Sequence, residues 1–283
     1  MKTFNAHTIA TGFAYPEGPR WQNGLLWFAD QHAGFVHAIS ASGAVTESFA
    51  VPGSPSGIGW MPDGDLLVVS METHQVLRRV SGKLQQHADL SEYHRAQTNE
   101  MVVGSDGRAY VGNIGFDFDN GEEPAPTMLL LVEPDGTVRQ VADDLLCPNG
   151  TVVTPDGKTL IIAESLANRL TAFDVAADGS LSNRRVFADV PGHIPDGICL
   201  DAQGQIWAAS PFTNSVIRVS EGGEITATVA IDGAGAFACM LGDEDRRTLF
   251  VCCAAEHQRS RTVALRSGRI DIARVDVPGA GWP

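Results

Sequence analysis

The chain has 283 residues, which is enough for two ordinary domains or for one large β domain with a substantial core. Its 34 acidic residues outnumber its 20 Lys and Arg residues, and the formal net charge of -14 disfavours nucleic acid and anionic membranes as partners. The first residues hold no apolar secretory segment and no apolar run is long enough to cross a bilayer, so we expect a soluble, cytoplasmic protein.

A related segment recurs six times along the chain. Each copy reads as a strand, a turn that is often Asp-Gly, and a second strand, and the copies begin roughly 40 to 50 residues apart, as in four-stranded propeller blades. The sequence therefore predicts an all-β, six-bladed β-propeller that forms a single domain over residues 1–283. In chain order the copies are PEGPRWQNGLLWFAD from Pro16, PSGIGWMPDGDLLVVS from Pro55, TNEMVVGSDGRAYVGN from Thr98, PNGTVVTPDGKTLIIAES from Pro148, PDGICLDAQGQIWAAS from Pro195 and a degenerate AFACMLGDEDRRTLFVCC from Ala236.

Short apolar or alternating runs between the copies supply the remaining strands, for example FVHAIS, QVLRRV, RLTAFDV and SVIRVS. No window has a strong helical period, and Asp89–Gln97 is predicted to be a loop or a single turn. The last copy is followed by TVALRSG and RIDIARVDVP. We expect the N-terminal strand near HTIATGF to complete the last blade and close the ring.

The five cysteines have no C-x-x-C spacing, and they lie within apolar runs such as LFVCCAA. This pattern favours buried thiols over a redox or zinc role. The residues are Cys147, Cys199, Cys239, Cys252 and Cys253.

One position falls at the same place in all six copies, at the start of the first strand. In a propeller this strand lines the central channel, so the six side chains, which we call the axial column, should converge at one mouth of the channel. Four of them are carboxylates or carboxamides, whose oxygen atoms favour Ca²⁺, Mg²⁺ or Mn²⁺ over Zn²⁺ or copper. The pattern predicts a divalent cation in the central channel. The axial column is Glu17, Ser56, Asn99, Asn149, Asp196 and Phe237.

Each of these residues alone also has an ordinary structural interpretation. Asn149 precedes a glycine and could form a turn, and Glu17 or Asp196 could cap a loop amide or pair with Arg20. Ser56 is expected to be a hydroxyl of the channel wall. Several acids and amides in one column are harder to explain this way, because unneutralised carboxylates would repel one another.

Taken together, YPEGPRW, PSGIGWMPDGDLLV, TNEMVVGSDGRAYVGN, CPNGTVVTPDGKTL and PDGICLDAQGQIWAA resemble the gluconolactonase family, also called the senescence-marker-protein (regucalcin, luciferin-regenerating enzyme) family. The resemblance runs from about residue 13 to residue 253. It implies a six-bladed propeller with one catalytic divalent cation in the central channel. Because the axial column supplies only oxygen donors, we expect this cation to be Ca²⁺, with Mn²⁺, Mg²⁺ or Zn²⁺ as alternatives. The metal ligands that it implies are Glu17, Asn149 and Asp196, and it implies that Asn99 faces the metal and the substrate.

The reaction that we predict is hydrolysis of a small five- or six-membered lactone to the hydroxy acid, by a monomer or small homo-oligomer. Asp196 is the candidate general base, and Asn99 is expected to orient water or substrate. Three alternatives remain: a sugar-acid lactonase acting on glucono- or xylonolactone, a calcium-binding propeller without catalysis, and a protein-binding platform.

The substrate side of the site departs from the resembled family. Sugar-acid lactonases of that family often carry Arg where this chain has Gln97, and Arg95 stands two residues earlier. Aromatic side chains near the rim, including Phe118 and Phe212, predict an apolar wall that favours an aliphatic γ-lactone, since buried sugar hydroxyls need matched partners. The predicted substrate contacts are Asn99, Gln97, His193, Phe237 and Phe116.

Overall fold

A computed structural model describes residues 1–117 and 120–280 of the chain. Over these residues the chain forms six sheets, five with four strands and one with five. The sheets are the blades of a propeller, which confirms the predicted all-β, six-bladed fold. Phe118, one of the aromatic residues expected near the rim, lies outside the described residues.

The strands follow one another from the inside of each blade to its outside. The chain begins with β1 (Lys2–Asn5) and β2 (His7–Phe13), and blade one then holds β3 (Pro16–Gln22), β4 (Leu25–Asp30), β5 (Phe35–Ile39) and β6 (Val45–Ala50). Blade two holds β7 (Pro55–Trp60), β8 (Leu66–Ser70), β9 (Gln75–Val80) and β10 (Lys83–Asp89). Blade three holds β11 (Thr98–Val103), β12 (Ala109–Asn113), β13 (Thr127–Val132) and β14 (Val138–Leu145).

The second half of the chain repeats this order. Blade four holds β15 (Pro148–Val153), β16 (Thr159–Glu164), β17 (Arg169–Val175) and β18 (Leu181–Asp189), with a 3-10 turn at Ser165–Ala167. Blade five holds β19 (Ile198–Leu200), β20 (Ile206–Ser210), β21 (Ser215–Val219) and β22 (Ile225–Ala230), with a 3-10 turn at Pro211–Thr213. Blade six holds β23 (Gly235–Gly242), β24 (Thr248–Ala254) and β25 (Gly268–Arg274).

The outermost strand of blade six comes from the N-terminal residues. β2, whose sequence is HTIATGF, pairs antiparallel with β25, so the predicted closure of the ring is confirmed. β1 pairs in parallel with β22 and forms the fifth strand of blade five. The two N-terminal strands, β1 and β2, are thus the outermost strands of blades five and six.

The inner strands form a continuous ring around the channel. β3, β7, β11, β15, β19 and β23 each contact the next, and β23 contacts β3. The approach is close: a Cβ atom added to Gly57 would lie 2.2 Å from the backbone nitrogen of Met101, and one added to Gly150 would lie 2.4 Å from that of Ile198. Only glycine fits at these two places, because any side chain would collide with backbone.

The hydrophobic core lies between the faces of neighbouring blades. Trp207 of blade five packs with Leu249 of blade six, and Val36 of blade one packs with Trp60 of blade two. All five cysteines are free thiols; four are buried as predicted, and Cys147 is partly exposed.

A short helix interrupts blade six. α1 (Arg259–Leu265) lies between β24 and β25, so the TVAL of TVALRSG is helical and RIDIAR is part of the strand that follows. The segment before blade three contains a single turn, in which the amides of Tyr93 and His94 donate to the carbonyl oxygen of Leu90. In the described part of the chain, no helix is long and apolar enough to cross a membrane.

Candidate active site at the channel mouth

Five of the six inner strands contain a β-bulge at the axial column. In β3, Glu17 pairs with Ala29 and Arg20 pairs with Trp27, so the inner strand has one residue more than its partner. Such a bulge kinks a strand and redirects a side chain, which here lets the axial column face the channel. The same register shift occurs in β7, β11, β15 and β23.

A cavity of about 250 Å³ opens at this mouth of the channel, and most of its surface is apolar. Five of the six axial positions and two further predicted contacts line it together. The sequence-predicted residues in its wall are Glu17, Asn99, Asn149, Asp196, Phe237, Gln97 and Phe116, and Phe212 lines it as well.

Three other residues considered from the sequence, Ser56, His193 and Arg95, are not among the described residues that line this cavity. Ser56 is 1% exposed, and its hydroxyl donates to Asn99 Oδ1 at 3.3 Å, which leaves the NH₂ group of Asn99 to donate to a substrate. His193 Nδ1 lies 3.3 Å from the hydroxyls of Ser210 and Thr213, while its neighbour Ile194 lines the cavity. The side chain of Arg95 is exposed, and the described cavity wall does not include it.

The two axial carboxyls have strongly perturbed acidity. Burial raises the pKa of Glu17 well above its usual value, and the charges of Asp196 and Glu100 raise it further. Burial and the charge of Glu100 raise the pKa of Asp196 to about 8, although a hydrogen bond with Asn149 opposes the shift. Neighbouring carboxylates that repel each other in a buried place are stabilised when a cation joins them.

The donor set fits a hard divalent cation. Glu17 and Asp196 offer carboxylate oxygens and Asn149 an amide oxygen, which suits Ca²⁺ or Mg²⁺. Burial is the main reason that the pKa of Cys147 is raised to about 12, so this thiol is a poor metal ligand and a poor nucleophile. Among the described residues no group of three or more His, Cys, Asp and Glu side chains is arranged to hold a metal ion.

The loop that carries α1 forms one side of the cavity, and the repeat gave no signal for it. His257, Gln258 and Arg259 all line the cavity. Arg259 forms an ion pair with Glu72 of blade two, and the Ser54 hydroxyl donates to the same carboxylate at 3.1 Å. This ion pair ties a loop of blade six to blade two at the cavity mouth.

Three aromatic side chains, Tyr15, His32 and Phe237, pack together next to this loop. The ring of His32 stacks on Tyr15 with 4.4 Å between centroids, and His32 Nδ1 lies 2.7 Å from the hydroxyl of Thr262 in α1. Burial is the main cause that lowers the pKa of His32 to about 4, so the ring is neutral near pH 7. Tyr15 also packs against Phe237, with 4.8 Å between centroids.

The model of the family described as SMP-30/Gluconolactonase/LRE-like region matches residues 15–255. The chain belongs to this family. The resemblance inferred from the repeated motifs is therefore confirmed, and the matched range includes all six axial positions.

Relatives at the sequence level are moderately similar. The 6-deoxy-6-sulfogluconolactonase of Pseudomonas putida is 25% identical over 278 residues, which cover 94% of this chain and 93% of that protein. Regucalcin of Oryctolagus cuniculus is 30% identical over 169 residues, which cover 56% of this chain and 54% of that protein.

Solved structures share the fold. A regucalcin from Agrobacterium tumefaciens, described as a calcium-binding protein, superposes with a TM-score of 0.83 at 23% identity and covers 100% of this chain and 98% of its own. A gluconolactonase from Xanthomonas campestris superposes with a TM-score of 0.77 at 21% identity, covering 96% of this chain and 89% of its own.

Proposed function

We propose that the protein is a metal-dependent lactone hydrolase that opens a small five- or six-membered lactone to the hydroxy acid. The observation that carries this proposal is the meeting of Glu17, Asn149 and Asp196 with Asn99 in one largely apolar cavity. Such a cavity can take a small ring, and the oxygen donors can hold a cation at the ester carbonyl. The lactonases among the family relatives support the same reaction.

Different residues of the site have different roles in the proposed hydrolysis. Glu17, Asn149 and Asp196 would hold the cation, which when bound polarises the ester carbonyl, an effect typically worth several kcal/mol. Water adds to the carbonyl carbon, and Asp196 takes its proton as general base. The bond from carbonyl carbon to ring oxygen then breaks, and the proton passes to that oxygen to give the hydroxyl of the product. The NH₂ group of Asn99 orients the water or the substrate carbonyl.

No covalent intermediate is part of the proposal. The serine hydroxyls that line the cavity already donate elsewhere: Ser165 to the carbonyl oxygen of Pro195 at 2.7 Å, and Ser54 to Glu72 at 3.1 Å. The raised pKa of Cys147, about 12, keeps its thiol protonated. Direct attack by water needs neither group.

The substrate that we propose is an aliphatic γ-lactone, such as a γ-alkyl butyrolactone. Phe116 and Phe237 are 5% and 6% exposed and line the cavity with Ile114, so an alkyl substituent would meet apolar surface. A sugar hydroxyl buried there without a partner would cost about 1 to 3 kcal/mol.

A sugar-acid lactonase is the second candidate. Gln258, Arg259 and Gln31 line the cavity and could meet hydroxyls. The Pseudomonas putida relative, whose name is that of a sugar lactonase, aligns with 94% of this chain.

One experiment tests the reaction, the metal and the substrate. The chelator-treated chain is assayed with a pH indicator on γ-alkyl butyrolactones, gluconolactone and xylonolactone, alone and with Ca²⁺, Mn²⁺, Mg²⁺ or Zn²⁺. We expect turnover only with metal, and a kcat/KM for alkyl lactones at least equal to that for sugar lactones. A hundredfold preference for the sugar lactones would establish the second candidate. Metal binding without turnover of any lactone would favour a calcium-binding propeller, and full activity without metal would end the metal proposal.

A further inference from the structure

Glu100 breaks a pattern that the other five blades share. The position directly after the axial column holds a small residue in those blades, and the inner strands approach one another closely there. A Cβ atom added to Gly18 would lie 2.8 Å from Glu100 Oε1. The acidic side chain of blade three therefore reaches the residue next to Glu17. The small residues of the other blades are Gly18, Gly57, Gly150, Gly197 and Ala238.

The carboxylate of Glu100 is buried, and only one of its two oxygens has a hydrogen-bond partner among the described residues. Its side chain is 4% exposed. Oε2 lies 3.2 Å from a guanidinium nitrogen of Arg20, which also donates to the carbonyl oxygen of Met101 at 2.6 Å. Oε1 has no hydrogen-bond partner among the described residues. A buried carboxylate oxygen is rarely left in this way, so Oε1 points to a group that completes its surroundings.

The charge of Glu100 is balanced on one side only. Arg20 contacts Oε2 at 3.2 Å, whereas Oε1 lies beside Gly18, the residue next to the proposed cation ligand Glu17. The oxygen beside Gly18 is thus the one without a hydrogen-bond partner among the described residues.

We propose that Glu100 belongs to the cation site as its third carboxylate, with Oε1 accepting a hydrogen bond from water held between it and the ligands. This inference rests on the proposed cation site. Glu100 is a positioning residue rather than a direct ligand, since the described acids do not form a three-carboxylate coordination group. Partners one layer behind the ligands commonly change metal affinity 10- to 100-fold.

Calcium affinity, measured by isothermal titration calorimetry on the chelator-treated full chain, tests this role without reference to turnover. Glu100→Gln keeps the size of the side chain and removes its charge, so we expect a Kd for Ca²⁺ about 10- to 100-fold larger. Arg20→Gln removes the opposite charge, so we expect a Kd that is unchanged or smaller. A purely structural ion pair predicts no such difference in sign between the two variants.

Two further variants keep the test decisive. Asp201→Asn removes the acid of another buried ion pair, in which Arg218 Nε lies 2.6 Å from Asp201 Oδ2, and it should leave the Kd unchanged. If Glu100→Gln does not fold, the Arg20→Gln, Glu100→Gln double variant leaves no unpaired charge, and its Kd should exceed that of Arg20→Gln at least tenfold.

The outcomes separate this inference from the proposed function. A parent chain that binds no divalent cation would contradict the proposed function itself. A parent that binds Ca²⁺, with a parent-like Kd in folded Glu100→Gln, would overturn only the role of Glu100. Equal weakening in Arg20→Gln and Glu100→Gln would overturn it as well, because the sign of the charge would then have no effect.

Discussion

The backbone amide of Gly150 donates a hydrogen bond to the carbonyl oxygen of Asp196, with 3.2 Å between the two atoms. This bond joins the inner strands of blades four and five directly at the proposed metal ligands. The amide of Asp196 in turn donates to the carbonyl oxygen of Ala209 at 2.9 Å. Backbone groups thus fix the position of Asp196, so a substitution that changes only its side chain should alter the chemistry and keep the ring.

Asp196→Asn tests the general base. Asn keeps the size and one oxygen donor but cannot take a proton at neutral pH, so we expect kcat to fall on the order of 100- to 10,000-fold. The β-rich circular dichroism spectrum should persist. Asp156→Asn, in an exposed hairpin turn, is the control that should leave kcat unchanged. Parent-like turnover in a folded, metal-loaded Asp196→Asn chain would remove Asp196 from the role of base.

Asn149→Ala tests the neutral ligand. As a proposed ligand, the amide oxygen would contribute to metal affinity and take no part in proton transfer, so we expect a larger Kd for Ca²⁺ and a kcat that recovers in part with excess Ca²⁺. Activity is measured against Ca²⁺ concentration, beside elemental analysis of the bound ion. A kcat that stays low at saturating Ca²⁺ would show that Asn149 acts on the reaction itself.

The sequence predicted the fold because each blade repeats the same short pattern. RLTAFDV is β17 and QVLRRV is β9, and the axial column was recognisable because aligned blades place equivalent residues together. The α1 loop was not predicted, since it occurs in one blade and has no repeated counterpart. Its residue Arg259 reaches the cavity only through tertiary packing, as His32 does from blade one. The aligned copies show that Glu100 replaces a small residue, but only the packing shows that its Oε1 has no partner among the described residues.

The raised pKa values of Glu17 and Asp196 predict a pH-dependent stability of the metal-free chain. The folded pKa of Asp196, about 8, exceeds the ordinary value for Asp of about 3.9, so the folded state binds more protons between these limits. Stability that is present below pH 4 is therefore lost as the pH rises towards 8, with a slope of up to about 1.4 kcal/mol per pH unit. Glu17 contributes with the same sign.

Thermal melting in chelator and in excess Ca²⁺ measures this linkage. Since Ca²⁺ needs ionised ligands, the rise in Tm that it produces should be larger at pH 8 than at pH 5. Asp196→Asn isolates the Asp196 contribution, because it removes that titration and keeps the other groups. A metal-free parent that gains stability over this pH range relative to Asp196→Asn would contradict the assignment.

Arg259→Ala tests whether the α1 loop contacts substrate. Arg259 lines the cavity and could donate to a lactone hydroxyl, and a hydrogen bond to a charged group is worth about 1.5 to 3 kcal/mol. We expect KM for gluconolactone to rise about tenfold or more, and KM for a γ-alkyl butyrolactone to change little. Arg261→Ala is the matched control, because Arg261 is 65% exposed and pairs with Glu256, and neither residue lines the cavity. Glu72→Gln weakens the link to blade two and keeps Arg259, so it should not reproduce the selective loss. If Arg259→Ala and Glu72→Gln impair both lactones equally, Arg259 holds the loop in place and does not select the substrate.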